Sequence, residues 1–367
     1  MEELPLSRSR ALTAIRLEAT DQIPHWEFLS NPEFERAITG IDPYQHPQQS
    51  ALRMIEALDL DIASVPLSDA PIPPLPDDGL DADLHRVARW GTSVTWRWDW
   101  GNRFTTVEEV LAYEPLEHLD LSKAVIPEAH DYTVSVEALA RAFQDNLDRS
   151  QALLGDRALS DVPGWYNTFF MWPLLTFGWE LFLTAATQHA QEMARIMADF
   201  GQISLKALSA WAHVAPPLVV AHDDICYTRG PTFSPQWLRQ NVYPWYERLW
   251  QPLHKRGVKV LFMSDGNVNA VADDVFACGA DGIMGEPHTD LAWIAGRHPD
   301  KILLGNIDSR ILANGSKQAI YAEVERCTRY GRDCPGYFYS VSNHIPYTVP
   351  VDAVRHYFEA CSKLGRR

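Results

Sequence analysis

The stretch VKVLFMSDGN, residues 258–267, decides the fold. It begins as a nearly continuous apolar run and ends in four polar or small residues, Ser264, Asp265, Gly266 and Asn267. A short run that is apolar at almost every position is typical of a parallel strand buried on both faces. We therefore predict a buried strand here, followed by a polar loop.

Four further stretches of the second half repeat this arrangement: PLVVAHD at 217–223, DGIMG at 281–285, ILLGN at 302–306 and YFYSV at 337–341. Segments with helical periodicity separate them, near 234–257, 268–278, 289–297, 316–330 and 350–364. In the first of these segments, Ser234 and Pro235 predict the helix start, and Pro244 predicts a kink. Alternating strands and helices predict a parallel sheet. No GxGxxG or GxxxxGK[ST] loop follows any of these strands, which favours a closed (β/α)8 TIM barrel over an open doubly wound sheet.

The first half of the chain is less regular. We predict helices near 7–17, 31–39, 48–58 and 133–150, strands near 60–65 and 158–163, and two helices within 173–213. The Pro- and Asp-rich segment 66–83 predicts a loop over the barrel mouth, and the alternation in 87–100 predicts a β-hairpin inserted near that mouth. We find no repeat or linker, so the prediction is a single barrel domain over residues 1–367.

Composition narrows the function. Hydrophobic residues make up 46% of the 367 residues and charged residues 22%, which is enough apolar material for a large core. The formal net charge of −16 argues against nucleic acid or an anionic membrane as a partner, but not against a small anionic substrate. Five cysteines without a CxxC pair, no signal-peptide pattern and no apolar run of the ~18 residues that a membrane span needs predict a cytoplasmic protein without disulfides.

The candidate site follows from the barrel. Catalytic groups of TIM barrels lie just beyond the carboxyl ends of the strands. All five predicted strands of the second half end in polar, mostly ionisable groups: His222-Asp223-Asp224, Ser264-Asp265-Gly266-Asn267, Glu286-Pro287-His288, Asn306-Ile307-Asp308 and Ser342-Asn343-His344.

Each of these residues also has a structural interpretation. An Asp after a strand often caps the next helix, and this alternative stays open for Asp224, Asp265 and Asp308. Glu is a poor helix cap, which favours a functional role for Glu286. His344 precedes Ile345 and Pro346, where no helix can continue, so His344 does not belong to a helix, and this also favours a functional role for it. His222 is either an inner-shell histidine or a functional one, and His25 and Glu27 either line the mouth or close the bottom of the barrel.

Over nearly its whole length, the chain resembles the uroporphyrinogen decarboxylase (URO-D) superfamily of TIM barrels. The resemblance rests on the following motifs: IPHWE at 23–27, RWGTSVTWR at 89–97, HDDI at 222–225, the long stretch 234–267 ending in SDGN, GADGIMGEP at 279–287, KILLGNIDSRILANG at 301–315 and the stretch 337–361 with its His-Ile-Pro element.

The superfamily implies one of two reactions, namely decarboxylation of porphyrinogen acetate arms without a cofactor, or methyl transfer by zinc enzymes that act with corrinoid proteins or coenzyme M. Decarboxylases carry two substrate-binding arginines in a WxMRQAGR pattern. The matching stretch here, HWEFLSNPEFER at 25–36, keeps Trp26, has neither arginine, and places Arg36 elsewhere. The His-x-Cys zinc motif of the coenzyme-M enzymes is matched by Met263-Ser264-Asp265, so the thiolate site is absent.

The resemblance is closest to the branch that demethylates methoxylated or methylated small substrates with a corrinoid partner protein. It implies catalytic roles for Asp223, Asp265, Glu286 and His344. The last three are candidate Zn²⁺ ligands, and His222 or Asp223 is a further candidate ligand. The metal or Glu286 would activate the methyl-bearing heteroatom as an acid. Candidate substrate-binding residues are His25, Glu27, Trp96, His222, Tyr227, Asn306 and Asn343.

Two alternatives stay open. A decarboxylase acting on a porphyrinogen or a smaller carboxylate would use Asp223 or Asp265 to stabilise a protonated intermediate and His344 to move protons, without metal or corrinoid. A barrel without catalytic activity would bind a tetrapyrrole or a partner protein. A homodimer is compatible with each of the three interpretations.

Overall fold

Eight short parallel strands form a closed barrel. The computed structural model describes residues 7–72, 78–79, 87–90, 93–96, 103–122, 131–161, 164–165, 167–341 and 343–367. We number the barrel strands in chain order: β1 at the bridging residues His25 and Trp26, β2 Ile62–Ala63, β3 Leu159–Ser160 continued by Gly164–Trp165, β4 Leu218–His222, β5 Lys259–Met263, β6 Gly282–Gly285, β7 Ile302–Gly305 and β8 Tyr337–Phe338.

The ladder is parallel throughout and closes on itself. Strands β4 to β8 pair in sequence, β3 pairs with β2 and β4, and β1 joins β8 and β2 through the bridges His25–Tyr339 and Trp26–Ile62. The predicted TIM barrel is therefore confirmed. Outside the barrel, Leu29–Ser30 pairs with Ile345–Pro346, and Cys226–Tyr227 pairs with Gly230–Pro231.

The helices surround this barrel. Those of the described residues are Ser7–Ile15, Pro32–Thr39, Pro47–Leu58, Val107–Leu111, Pro115–His118, Val136–Leu154, Met171–Phe177, Trp179–Gln188, Ala190–Val214, Pro235–Asn241, Tyr243–His254, Ala272–Ala277, Leu291–Arg297, Ser309–Asn314, Lys317–Gly331 and Val351–Leu364. None of them, within the described ranges, is both long and apolar enough to cross a membrane.

Two layers of core result from the alternation of side chains along the strands. Inward residues such as Leu218, Val220, Leu261 and Leu304 pack with one another and with the first helix, which covers the amino-terminal end of the barrel. Outward residues such as Val219 pack against the helices. All five cysteines are buried and free, in agreement with the predicted lack of disulfides.

Most predicted elements are present, with differences at proline and glycine. The segment 234–257 divides at Val242, and Pro244 lies in the first turn of the second helix. The segment 173–213 holds three helices instead of two, because Gly178, with φ of 78°, ends the first.

The predicted hairpin is formed by Val87–Trp90 and Ser93–Trp96, with Asp78–Gly79 as a third strand. Its residues 97–100, and 73–77 and 80–83 of the predicted mouth loop, lie outside the described residues.

Candidate active site at the barrel mouth

Three neighbouring strands place carboxylates in one row at the mouth. In the ladder, Met263 of β5 pairs with His222 of β4 on one side and with Met284 of β6 on the other. Asp224, Asp265 and Glu286 follow two residues after His222, Met263 and Met284, respectively. Residues two apart point to the same face of a strand, so strand register and side-chain alternation together place the three acids side by side above His222, Met263 and Met284.

His222, Asp224 and Asp265 form the tightest group, which we call the mouth cluster. One potential ligand atom from each lies within 4.8 Å of the others. The Nε2 atom of His222 lies 2.9 Å from Oδ1 of Asp224, which also accepts the Asp265 backbone N–H at 2.8 Å. The His222 and Asp224 side chains are only 13% and 15% exposed, whereas Asp265 is exposed to solvent.

The ionisable groups of the mouth cluster and Glu286 change one another's pKa values. Although part of the Asp265 residue reaches solvent, its carboxyl group is largely surrounded by protein. This loss of hydration and the neighbouring charges of Asp224 and Glu286 raise the pKa of Asp265 to about 7, and His222 opposes the shift. Burial also raises the pKa of Glu286, and the charge of Asp224 adds to it. Burial alone would lower the pKa of His222, but the charge of Asp224 outweighs burial, and the pKa of His222 is raised. Burial alone would raise the pKa of Asp224, but the charge of His222 outweighs burial, and the pKa of Asp224 is lowered. The pairing therefore favours the protonated form of His222 and the ionised form of Asp224, beside two carboxyl groups that retain protons more readily than in water.

A glycine turn holds Asp265 and Glu286 in place. Gly266 adopts a φ of 82° and donates its N–H to Glu286 at 2.6 Å. A Cβ at this position would lie 2.4 Å from the carbonyl carbon of Tyr227. Asn267 donates its N–H to the Tyr227 carbonyl oxygen at 3.0 Å, so the loops after β4 and β5 are fastened together. The glycine of the SDGN motif is thus required by the turn's geometry.

Asp223 lies behind the mouth cluster and points away from it. The residue is 0% exposed, and its carboxylate accepts the N–H groups of Phe170 and Met171 at 2.8 and 2.7 Å and the hydroxyl of Tyr246 at 2.7 Å. Burial raises its pKa to about 6, although these donors oppose the shift. Its contacts are those of a residue that positions the loop after β3.

The structure places His25 and Glu27 away from the mouth cluster. Both are buried, and Glu27 accepts the Val341 N–H at 3.1 Å and the Tyr357 hydroxyl at 2.7 Å. Alternation directs Trp26 into the barrel and its two neighbours outward, against the last helix.

The remaining candidates are dispersed around the mouth. Tyr227 is 50% exposed beside the glycine turn, whereas the Trp96 side chain lies outside the described residues. Asn306 is fully buried and donates to the carbonyl oxygens of Glu286 and Thr289. His344 has Nδ1 2.7 Å from Oδ1 of the exposed Asn343, and burial lowers its pKa to about 4.

The predicted metal ligands are brought together only in part. Among the described residues, the group with ligand atoms close to one another holds Asp265 with His222 and Asp224, and Glu286 and His344 lie outside it. Asp224 was recognised among the strand-end residues but left out of the predicted catalytic residues and metal ligands, because an Asp after a strand also fits a helix cap. Its place in the row with Asp265 and Glu286 follows from the register of β4, β5 and β6.

Positive charge borders the row on its β7 side. Asp308 caps the helix Ser309–Asn314, as one of its alternatives predicted, and pairs with Arg310 at 2.7 Å. The Arg310 side chain is 64% exposed, and its charge, like that of His288, acts on Glu286. The mouth thus has an acidic side at β4–β6 and a basic edge beyond it.

A closed parallel barrel with ionisable side chains gathered beyond its strand ends is the architecture of the TIM-barrel enzymes. Within that class, the chain belongs to the uroporphyrinogen decarboxylase family, since the family model "Uroporphyrinogen decarboxylase (URO-D)" matches residues 176–364, which is half of the chain.

Individual relatives agree with this assignment. A uroporphyrinogen decarboxylase of Thermus thermophilus is 24% identical over 187 residues, which are 51% of this chain and 49% of the relative. That of Pelobacter propionicus is 25% identical over 174 residues, 47% of this chain and 49% of the relative. The chain thus matches about half the length of these curated relatives. A methyltransferase from Methanosarcina mazei shares the fold, with a TM-score of 0.63, 15% identity, and coverage of 98% of this chain and 99% of that one.

Proposed function

We propose that the chain is a methyltransferase that removes a methyl group from the oxygen or nitrogen of a small substrate and passes it to a corrinoid on a separate protein. The observation that carries the proposal is the row formed by the mouth cluster and Glu286, which offers both acids and metal-ligand atoms at the place where TIM barrels perform their chemistry.

The charge of the mouth supports a small substrate. Porphyrinogens that carry eight carboxylates need several cations to hold them. The stretch that matches the decarboxylase arginine pattern instead supplies Trp26, which is 2% exposed inside the barrel, and Glu27, which is buried in the wall. Beside the acidic row, the Arg310 guanidinium is exposed but already paired with Asp308 at 2.7 Å, so a substrate with one carboxylate would share this cation with Asp308.

The acids of the row can complete the transfer. A Co(I) corrinoid on the partner protein would supply the nucleophile that accepts the methyl group. The heteroatom would keep the electron pair of the broken bond and take a proton from Asp265 or Glu286, both of which have raised pKa values. The His222–Asp224 pair fixes the Asp265 backbone through the N–H bond to Asp224.

The same residues fit a divalent metal. One imidazole nitrogen and two carboxylates are a ligand set found at catalytic Zn²⁺ sites, and the crowded negative charge that raises the pKa of Asp265 would be relieved by a cation. His222, Asp224 and Asp265 would hold the ion, with Glu286 free as the acid. Zn²⁺ would there supply Lewis-acid activation of the heteroatom.

A decarboxylase is the second candidate, favoured because the curated relatives are uroporphyrinogen decarboxylases. In that case Asp265, with its pKa of about 7, would stabilise a protonated intermediate and return a proton to the carbon that loses CO2. Neither metal nor corrinoid would then take part.

Metal content tests the first part of the proposal. We expect tag-free protein purified without chelator and supplemented with zinc to hold near-stoichiometric Zn²⁺, and Asp265→Asn to lose it. Asp273→Asn is the matched control, because Asp273 is an exposed acid paired with Arg297 at 2.8 Å outside the row. Wild type that binds no zinc would leave only the acid-based mechanism.

Turnover tests the reaction. We expect methoxylated aromatics or methylated amines, offered with free cob(I)alamin, to give methylcobalamin, and Asp265→Ala combined with Glu286→Ala to abolish its formation. Full activity of that double variant would refute the assignment. Loss of CO2 from uroporphyrinogen or a smaller carboxylate, without methyl transfer, would select the decarboxylase instead. If neither reaction took place, a barrel that only binds its ligand would be favoured.

A further inference from the structure

A cavity lies away from the mouth cluster. It has a volume of about 340 Å³ and lies between the helices Pro32–Thr39, Pro47–Leu58 and Val351–Leu364, near the amino-terminal ends of β1 and β2. Its size is that of cavities which bind small molecules. No part of the reaction described above uses it.

One wall of this cavity is a stack of rings. The His25 ring lies 4.9 Å from that of Phe358, with 27° between their planes, and Phe358 lies 5.8 Å from Phe34, with 15° between them. All three line the cavity, together with Ile23 and Ile38. Phe34 is 0% exposed and Phe358 8%, so the part of Phe358 that reaches the cavity, together with Ile23 and Ile38, offers a limited apolar surface to a flat or branched apolar group.

The acidic residues of the cavity are already paired. Asp61 accepts Nε of Arg10 at 2.6 Å and the His25 N–H at 2.7 Å, and Asp59 accepts Nη2 of Arg10 at 2.8 Å. Glu359 lies 3.4 Å from the ammonium of Lys317. These acids would repel a dianion but are not themselves in need of a cation.

Arg355 is the cation left over. It is exposed at the rim of the cavity and, among the residues that the structure describes, it makes no hydrogen bond or ion pair. It lies three residues before Phe358 on the same helix, so the guanidinium and the ring share one helix face. A guanidinium beside an apolar wall is complementary to a carboxylate on an apolar body, because its fork matches the two oxygens.

We propose that this cavity is a binding site for a small monocarboxylate with an aromatic or branched apolar body, held by Arg355 and the ring stack. The argument does not depend on the reaction at the mouth. The proposal favours a monocarboxylate over inorganic phosphate, because Asp59 and Glu359 line the same cavity and repel a dianion about twice as strongly as a monoanion.

The test uses 4-fluorobenzoate as the probe, followed by ¹⁹F NMR and calorimetry on the full chain. We expect saturable binding of one molecule per chain that benzoate displaces and that benzamide and phosphate do not. Arg355→Gln should weaken it about tenfold or more, the effect of one lost charge-assisted bond. Ala57→Phe, an exposed substitution at the rim, should block the cavity and leave Arg355 intact.

Arg149→Gln is the matched control, because Arg149 is an exposed arginine on the helix Val136–Leu154 far from the cavity. It should bind like wild type, and Asp265→Asn should too, since Asp265 lies at the other end of the barrel. Thermal unfolding of each variant confirms that it is folded. No binding to wild type, equal binding by folded Arg355→Gln, or equal binding of benzamide would overturn the proposal.

Discussion

At the scale of single residues, the mouth is defined by how burial acts on ionisable groups. His222 and Asp224 are protected from water and stabilise each other as an ion pair at 2.9 Å. Asp265, beside two other carboxylates, is forced toward its protonated form. The carboxyl groups of Asp224, Asp265 and Glu286 thus acquire different pKa values from their positions alone. One set of side chains can therefore include both a metal ligand and a proton donor.

His344 gives a pH-dependent prediction. Burial lowers its pKa to about 4, from an ordinary value near 6.5. A histidine with a depressed pKa binds fewer protons in the folded than in the unfolded state, so its contribution to stability is present above about pH 6.5 and is lost as the pH falls toward 4. We expect wild type to lose roughly 1–2 kcal/mol more than His344→Gln between pH 7 and 4.5, a value discounted for partial exposure.

Urea unfolding across this pH range measures the difference. His213→Gln, a change at an exposed histidine of the helix Ala190–Val214, should follow the wild-type curve. Parallel curves for wild type and His344→Gln would show that the imidazole is not desolvated in the folded protein.

At the scale of elements, the site depends on the turns that follow the strands. The turn after β5 needs a positive φ at Gly266, and its N–H fixes Glu286. Gly266→Ala would add a methyl group 2.4 Å from the Tyr227 backbone in a conformation that side chains disfavour. We expect it to lower the free energy of unfolding by about 1–3 kcal/mol and turnover by roughly tenfold or more, because Asp265 must move.

Gly296→Ala separates this effect from a general response to added methyl groups. Gly296 lies in the helix Leu291–Arg297, and a Cβ there meets nothing within 4 Å. This variant should be stabilised by about 0.5–1 kcal/mol with unchanged turnover. If Gly266→Ala behaved like Gly296→Ala, the turn would not control the site.

The loop after β3 depends on Asp223 in a similar way. Two backbone N–H groups and the Tyr246 hydroxyl donate to its carboxylate. Asp223→Asn replaces one acceptor oxygen by a donor, so at least one buried donor loses its partner. We expect chemical denaturation to show a loss of about 2–4 kcal/mol.

The control for that loss is Asp308→Asn at the cap of Ser309–Asn314, where Asn caps as well as Asp. It should cost about 1 kcal/mol or less, since Asn keeps the cap and the Arg310 partner is 64% exposed. Normal stability of Asp223→Asn together with lost turnover would instead restore the catalytic role that the sequence suggested.

At the scale of the whole molecule, the sequence predicted the barrel better than its site. Strands β4–β8 are apolar runs flanked by helices, and each was predicted. Strands β1–β3 pair over only one or two residues at a time, too few for a periodic pattern, so β1 went unnoticed in PHWE. His25 and Glu27, which the sequence placed either at the mouth or at the bottom of the barrel, lie in its wall, because Trp26 takes the inward position. Which of the three side chains points inward is settled only when β1 pairs with β8.

The row of acids shows the same limit. Glu286 and Asp265 were evident as polar strand ends, but their alignment with Asp224 depends on the register between neighbouring strands. Register is a property of the folded sheet, set by packing of side chains far apart in sequence. His344 was predicted beside Asp265, and the described geometry groups Asp265 with His222 instead.

Closure of the barrel joins the two ends of the chain. The Trp26 N–H donates to the Tyr339 carbonyl oxygen at 3.0 Å, and the Tyr339 N–H donates to Pro24 at 2.9 Å. Beside this seam, the buried Glu27 carboxylate accepts the Val341 N–H and the Tyr357 hydroxyl. One carboxylate thus connects β1, the end of β8 and the last helix, so removal of its charge should weaken the closure of the whole barrel.

We expect Glu27→Gln to lower the free energy of unfolding by about 2–3 kcal/mol and Tyr357→Phe by about 1 kcal/mol, because both leave a buried polar atom without its partner. The double variant should cost less than the sum, with a coupling of roughly 1 kcal/mol, since the two side chains share one bond at 2.7 Å. Tyr357→Phe combined with Asp273→Asn, on the surface elsewhere, should be additive. Tryptophan fluorescence and far-UV circular dichroism should report one common transition, because a barrel closed through Glu27 unfolds as a unit. Separate transitions, or additivity in the Glu27 pair, would mean that the seam is not what holds the first and last strands together.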